Sequence, residues 1–575
     1  MDSRFPRIQL LLLIILFLGI VPYFVGLGSS SLWDSNEAFY AETPREMLES
    51  NDLINPSFNY EPRFNKPPLS YWIVFGFYKC FGASEAVERI PIALAAVVMI
   101  FTAFALSRRV FSFDAGLIAA LSLAASPRFL MFSRRIMIDV YLAMFMSLAL
   151  LFFLLGVDAL NEDRPARRRL FFSLMYVSIG LGVLTKGPVA LGLPALALIA
   201  ILAVGRRPDI LWKMLIPAGA AILLIVVLPW YVEVYRQHGF EYIESFLLKD
   251  NVSRYAGVAW GPSRGLWFYL RVLGGDLFPW SLFLLAGALL PLLRRIQTVN
   301  NPRSHIEMYR LDRFGMLTLI AWIVVIAAFF SLSKSKEDLY ILPVYPACAA
   351  LVGGLISRAR SRWFKSNVHF VSPFAFTAGL MLAAGGAGLL YAWSKTTAEY
   401  RFAGANLIGM VAAAGGIAII ALVIIGKRQL AIAAIAATVI AANWVFVLRT
   451  LPDFERFKPV RPICEIIERN TAPDAQIGYY GLPSPSMVFY LRRSIFELGD
   501  DEADRKRFKA SLLSPHPAFF LIPEAVYEEI KAAIPVRTYV LASRPAFQVK
   551  LRTILTGAEP PRILLISNRN GTRPN

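Results

Sequence analysis

The first chemistry-bearing stretch follows the first long apolar run, in "WDSNEAFYAETPREMLES". Asp34 and Glu37 come directly after Trp33, where a helix would leave a membrane, and carboxylates at such a boundary can act as general bases when positioned and partly desolvated. A second reading for Asp34 or Ser35 is the cap of a short helix. Glu42, Arg45 and Glu46 have helical spacing, which predicts a solvated helix face with local ion pairs, and Glu46 and Glu49 are assigned to that face. Asp139, in "SRRIMIDVYLAMFMSLAL", lies inside an apolar pattern with Arg134 and Arg135 a turn earlier. An ionisable group within a span is costly, so Asp139 is read as functional, with a buried pair to one of those arginines as the alternative.

Cations are placed to complement these acids. In "EPRFNKPPLSYW", Lys66 stands before Pro67 and Pro68, a pair that fixes φ and holds the lysine at a rigid corner. Lys186 in "LTKGPVA", Arg254 in "KDNVSRYAG", and Lys334 and Lys336 in "SLSKSKEDLYILPVYP" are further phosphate-binding candidates. Singly, each reads as a snorkelling anchor at the membrane interface. With the carboxylates, they suggest acid/base chemistry on a lipid phosphate. No Ser/His/Asp order, phosphate loop or dinucleotide fingerprint is present, and the four histidines are isolated.

The elements that must position these residues are membrane helices. The chain of 575 residues is 57% hydrophobic and 17% charged, with mean hydropathy +0.54, a composition that excludes a soluble globular protein. Helix-length apolar windows predict about thirteen spans, near 8–28, 88–107, 113–131, 137–158, 170–185, 188–204, 212–235, 276–293, 314–333, 339–357, 372–393, 405–425 and 429–448. The first window follows Arg4 and Arg7 and reads as an uncleaved helix instead of a signal peptide. Residues 68–82 predict a short segment along the membrane surface. The net charge of +19 comes mostly from short loops. Six basic loops, from "SRRVF" to "GKRQ", fall on the same side as the N-terminus, which the positive-inside rule makes cytoplasmic. Residues 29–87, the 236–275 loop and everything after about 449 are then periplasmic. Scattered basic residues argue against nucleic-acid binding. Cys80, Cys348 and Cys464 have no metal-ligand spacing, and no disulfide is expected. In 449–575, "PAFFLIP" and "RILLIS" predict buried strands and "EAVYEEIKAAI" an amphipathic helix. The expected organisation is a membrane domain over 1–448 and a small periplasmic α/β domain over 449–575.

Six pieces in order, "NEAFYAETPREML", "NKPPLSYW", "RRIMIDVYLAMF", "LTKGPVAL", "NVSRY" and "SKSKEDLYILPVYP", resemble the GT-C glycosyltransferases that take sugar from a polyprenyl phosphate. The lipid A aminoarabinose transferases and protein O-mannosyltransferases are the families meant. The resemblance implies the GT-C fold, with the donor phosphate held by basic residues at the outer membrane face. Lys66, Arg254 and Tyr340 match those positions, and Asp139 matches the intramembrane acid. Two departures follow. The family usually has Asp-Glu where this chain has Asn36-Glu37, so the base falls to Glu37, in register with the family acid, or to Asp34, with Asn36 orienting acceptor or sugar. A metal-holding Glu and His of the aminoarabinose transferases are replaced by Asn65 and Lys249, so no metal or other cofactor is expected.

The expected activity is that of an inner-membrane glycosyltransferase. It would move a hexose or pentose from an undecaprenyl-phosphate donor to a lipid A, glycan or protein acceptor on the periplasmic side. A transporter or flippase is the rival from another class, disfavoured because the polar motifs gather at span ends on one side instead of at the midplane. A catalytically silent relative that binds lipid carriers is the third reading, prompted by Asn36.

Overall fold

The computed structural model describes residues 5–34, 36–246, 264–298, 312–358, 371–470, 474–546 and 557–570. Each of the thirteen predicted windows contains a helix. Among the described residues, nine helices are long and apolar enough to cross a membrane, and three shorter apolar helices cover Arg7–Tyr23, Phe113–Ala124 and Val189–Gly205. The chain opens with α1 (Phe5–Ile20), α2 (Asn36–Ser50), α3 (Leu69–Phe81), α4 (Glu85–Val110) and α5 (Phe113–Ala124). Next come α6 (Pro127–Phe132), α7 (Ile138–Asn161), α8 (Pro165–Lys186) and α9 (Val189–Val204). Local signals set several ends. Ser84 caps α4 through the Val87 N–H, and Arg108 and Arg109 in its last turn complement the helix dipole. The predicted surface segment is α3, which starts at the proline pair and stops at Gly82 (φ +81°).

At the end of the bundle away from the first loop, Arg109 pairs with Asp158 (Nε–Oδ2 2.7 Å) and with Asp312. Three loops that the charge pattern assigns to one side therefore meet there. At the first-loop end, α2 and α3 flank a two-stranded hairpin, β1 (Ser57–Phe58) and β2 (Glu61–Pro62).

Beyond residue 470 a five-stranded sheet forms from β3 (Gln476–Tyr480), β4 (Phe496–Leu498), β5 (Ala518–Pro523), β6 (Tyr539–Pro545) and β7 (Arg562–Ser567), in the order β4-β3-β5-β7-β6. β3 is parallel to β4 and β5, whereas β7 is antiparallel to β5 and β6. Alternation distributes each central strand between two cores. Phe519, Leu521, Ile563 and Leu565 pack under helix Val460–Asn470; Phe520, Ile522, Leu564 and Ile566 pack with Phe508 and Tyr527 on the other face. Strands buried on both faces read as unbroken apolar runs, which is why "PAFFLIP" and "RILLIS" were recognisable. The first loop joins the former core through Phe58 and Phe39.

Candidate active site

The turn that carries Asp34 is held by an arginine that sequence reasoning passed over. Arg89, in the second turn of α4, donates to both oxygens of Glu37 (Nε–Oε1 2.8 Å, Nη2–Oε2 2.9 Å). It also donates to the carbonyls of Leu27, Ser30 and Ser31 at 2.6, 2.6 and 3.2 Å. Glu37 is fully buried and accepts the Trp33 N–H at 2.8 Å. Burial pushes its carboxyl up, but the Arg89 guanidinium more than offsets this and holds it below the ordinary range. Glu37 is therefore a bonded anion inside the fold, with its two oxygens committed to Arg89 and Trp33.

Asp34 is placed differently. It is half-buried, at the turn leading into α2, and accepts the backbone N–H of Ser486 at 3.0 Å. Desolvation raises its carboxyl above the usual value, the direction a proton acceptor needs. Asn36 is exposed at the start of α2. Residues from 36 on are helical.

Glu42, Arg45 and Glu46 do form local pairs, but on a face that is buried, not solvated. Arg45 donates to Glu42 (Nε–Oε2 2.6 Å) and pairs with Glu49. Glu46 accepts from Ser57 Oγ at 2.6 Å and Tyr60 N at 3.1 Å. The reason is the hairpin β1–β2, whose residues Ser57 and Tyr60 bond to this helix face.

A second group of predicted residues converges from three elements. Asp139, in the first turn of α7, is paired with Lys186 at the end of α8. The ammonium of Lys186 lies 4.7 Å from the ring centre of Tyr340. Asp139 thus pairs with Lys186, not with Arg134, which reaches the carbonyls of Pro22 and Gly26. Gly187 then ends α8 at φ +86°, and a Cβ there would come within 2.5 Å of the Phe246 ring. Lys66 Nζ lies 5.9 Å from the centre of that same ring. Phe246 therefore joins the Lys66 corner to the Lys186 turn. A cavity of about 350 Å³ is lined by Arg63, Phe64 and Asn65, just before Lys66, and by Glu241 and Glu244.

The remaining cations fall elsewhere. Lys336 is buried and donates to the carbonyl of Ser333 at 2.5 Å, so it braces its own loop. Lys334 is exposed. Arg254 and Lys249 lie outside the described residues. Asn65 is exposed, and an amide there does not fit a metal site that needs a carboxylate. Among the described residues no three His, Cys, Asp or Glu side chains gather as metal ligands.

Arg135, named in the sequence only as an alternative partner of Asp139, instead has its guanidinium carbon 5.0 Å from the Trp33 ring centre. Sequence reasoning missed Lys458, with Nζ 3.9 Å from the same ring on its approach from the C-terminal segment. Arg89 had a signal, an arginine at the mouth of an apolar run. Lys458 had none.

Residues 65–232 match the family model described as dolichyl-phosphate-mannose-protein mannosyltransferase. The helical body with its small C-terminal sheet domain is the architecture of the GT-C fold, and the chain resembles the polyprenyl-phosphate-dependent glycosyltransferases built on it. The particular likeness is to the aminoarabinose transferases. The chain is 30% identical over 344 residues to the undecaprenyl phosphate-α-4-amino-4-deoxy-L-arabinose arabinosyl transferase of Edwardsiella ictaluri, a match over 59% of this chain and 58% of that protein. The matched region thus spans less than two thirds of that relative. An uncharacterised protein of Aquifex aeolicus is 29% identical over 67% of this chain and 70% of its own length. The crystal structure of ArnT from Cupriavidus metallidurans bound to undecaprenyl phosphate superposes with TM-score 0.76 over 100% of both chains, at 22% identity.

Proposed function

We propose that this protein transfers a sugar from a polyprenyl-phosphate donor to an acceptor at the outer face of the inner membrane. The observation that carries this reading is the convergence of Asp139, Lys186 and Tyr340, joined through Phe246 to Lys66, at the end of the bundle that holds the Asp34 turn. The likeness to aminoarabinose transferases supports it. In this reading Lys66 and Lys186 face the donor phosphate, and Tyr340 borders it. Asp34 takes the proton of the acceptor hydroxyl or phosphate. The acceptor oxygen forms a bond to the anomeric carbon as the bond to the phosphate oxygen breaks. The electron pair leaves on the lipid phosphate, where fixed cations stabilise it. Attack opposite the leaving group inverts the anomeric centre. The donor sugar is a hexose or pentose, and the acceptor a lipid A, glycan or protein group. The Asn65 substitution supports chemistry that needs no metal at that position.

The test is transfer of radiolabel from synthetic undecaprenyl-phosphate sugars by the purified full-length protein, paired with glycan and lipid A analysis of a deletion strain. Label transfer, and loss of one modification from the strain, is the expected result. No transfer from any pentose or hexose donor, with an unaltered envelope, overturns the reading.

A further inference from the structure

The segment beyond residue 449 reaches into the site at Lys458, a residue to which neither the family likeness nor the sequence motifs assign a role. Lys458 Nζ donates to Ser30 Oγ and to the Ser31 carbonyl, both at 2.7 Å. It also caps the Trp33 ring at 3.9 Å. All three residues lie immediately before Asp34. The same segment grips this turn elsewhere. Glu455 accepts the Ser31 N–H at 3.0 Å, Tyr490 Oη accepts the Leu32 N–H at 2.7 Å, and the Ser486 N–H meets Asp34 itself at 3.0 Å. Every backbone amide from 31 to 33 is thus tied down, and among the described residues Lys458 is the one cation that bonds to this turn from the C-terminal side. An ammonium bound to a hydroxyl, a carbonyl and a ring face fixes all three together, because its charge strengthens each contact.

We propose that Lys458 is a positioning residue for sugar transfer, its ammonium holding residues 30–33 so that Asp34 meets the acceptor. This rests on the transferase reading above and deepens it. The hold depends on charge. Burial pushes the Lys458 ammonium down to about 8, against the opposing pull of Glu37 and Glu455. The groups that face it are Glu37 on α2, Glu455 on its own turn, Arg89 on α4, Arg135 before α7, and Asp34. As pH rises through about 8 the ammonium is lost while Arg89 and Arg135 keep their charge, so the turn loosens on the Lys458 side alone. Turnover should therefore carry an alkaline limb set by Lys458.

The experiment compares the full-length wild type with Lys458→Met and Lys458→Arg. For each, turnover with an undecaprenyl-phosphate sugar is measured across pH, alongside hydrogen exchange of peptides covering 29–37. Lys458→Met should lower kcat by about ten- to a hundredfold, the scale of a small misplacement, with donor KM unchanged and the alkaline limb gone. Lys458→Arg should recover much of that kcat and move the limb to higher pH, because a guanidinium keeps its charge. Amides 31–33 should exchange faster in Lys458→Met at equal pH. A limb at the same pH in wild type and Lys458→Arg overturns the proposal, as does Lys458→Met with wild-type kcat. Should Lys458→Met fail to fold, the arginine variant decides alone. If the wild type transfers no sugar, the function reading fails, and exchange at 31–33 still decides whether Lys458 holds the turn.

Discussion

Replacing Glu37 by Gln separates two roles that look identical in the sequence. The sequence resemblance puts this carboxylate in register with a family acid, yet it meets Arg89 side-on at 2.8 and 2.9 Å in a site closed to solvent. Glu37→Gln keeps the shape and leaves the Arg89 charge with its carbonyl partners and with Glu88, whose Oε1 lies 3.5 Å from Nε. Removing one member of a buried pair costs about 3–5 kcal/mol. Gln still accepts from Trp33, and Arg89 keeps its three carbonyl bonds, so the lower part of that range is expected. Arg89→Met is more severe: it strands a buried carboxylate and releases the carbonyls of Leu27, Ser30 and Ser31. The double variant should be less destabilised than the sum of the two, since the stranded charges vanish together. Denaturation of the detergent-solubilised protein and turnover are measured on the same samples. Glu37→Gln should unfold much earlier than wild type, with residual turnover that keeps its pH profile below neutrality. A Glu37→Gln protein as stable as wild type, with turnover down by the 10²–10⁴ typical of a lost general base, would refute the ion-pair assignment and restore Glu37 as the base.

Lys66→Met should reduce turnover by about a hundredfold or more without loss of stability, as expected when a fixed cation leaves a developing phosphate charge; near-normal turnover makes Lys66 an anchor only. Stability should carry a mark of Lys458. Burial holds its ammonium at about 8, below the ordinary lysine value of 10.5, so between these two pH values the unfolded chain holds the extra proton and stability rises with pH. The gain is on the order of 3 kcal/mol and should vanish in Lys458→Met; a wild type whose stability relative to that variant does not rise over this window contradicts the buried ammonium. EDTA treatment should leave turnover intact, whereas activity lost to chelation and recovered with one ion would show that a metal binds despite Asn65. A Glu61→Cys protein in a Cys80→Ser background should react with an impermeant maleimide in intact spheroplasts, and labelling only after lysis would invert the proposed orientation.

The fold was legible where one physical rule governs a whole segment. A helix in a bilayer must be apolar along its length, so the windows at 88–107 and 137–158 identified α4 and α7 without help from their neighbours. Strands β5 and β7 were legible for a similar reason, being buried on both faces. The site was legible in its residue types and less so in their pairings. Asp139 was recognisable as an acid inside an apolar pattern, but its partner Lys186 is 47 residues away and no spacing rule connects them. Arg134 and Arg135 were nearer in sequence and were the natural alternative. The helix they precede turns Asp139 toward α8, while Arg134 reaches back to the end of the first span.

The same logic explains why the first loop misled most at Glu42, Arg45 and Glu46. Helical spacing correctly implied pairing among neighbours, and a charged helix face ordinarily implies water. Water is excluded here because the loop folds back on itself, with the hairpin over α2 and the C-terminal sheet against Phe39 and Phe58. That cover also makes the Asp34 turn useful. A lone turn at a membrane surface would sample many conformations, and an acid on it would sit at its ordinary pKa. Clamped by Arg89 from the membrane side and by Glu455, Lys458, Ser486 and Tyr490 from the other, the turn is a rigid seam. Asp34 lies on that seam, its carboxyl raised by desolvation and its side chain still half-exposed. The C-terminal segment is therefore a wall of the proposed site, and its substitution should register in kcat before it registers in donor affinity.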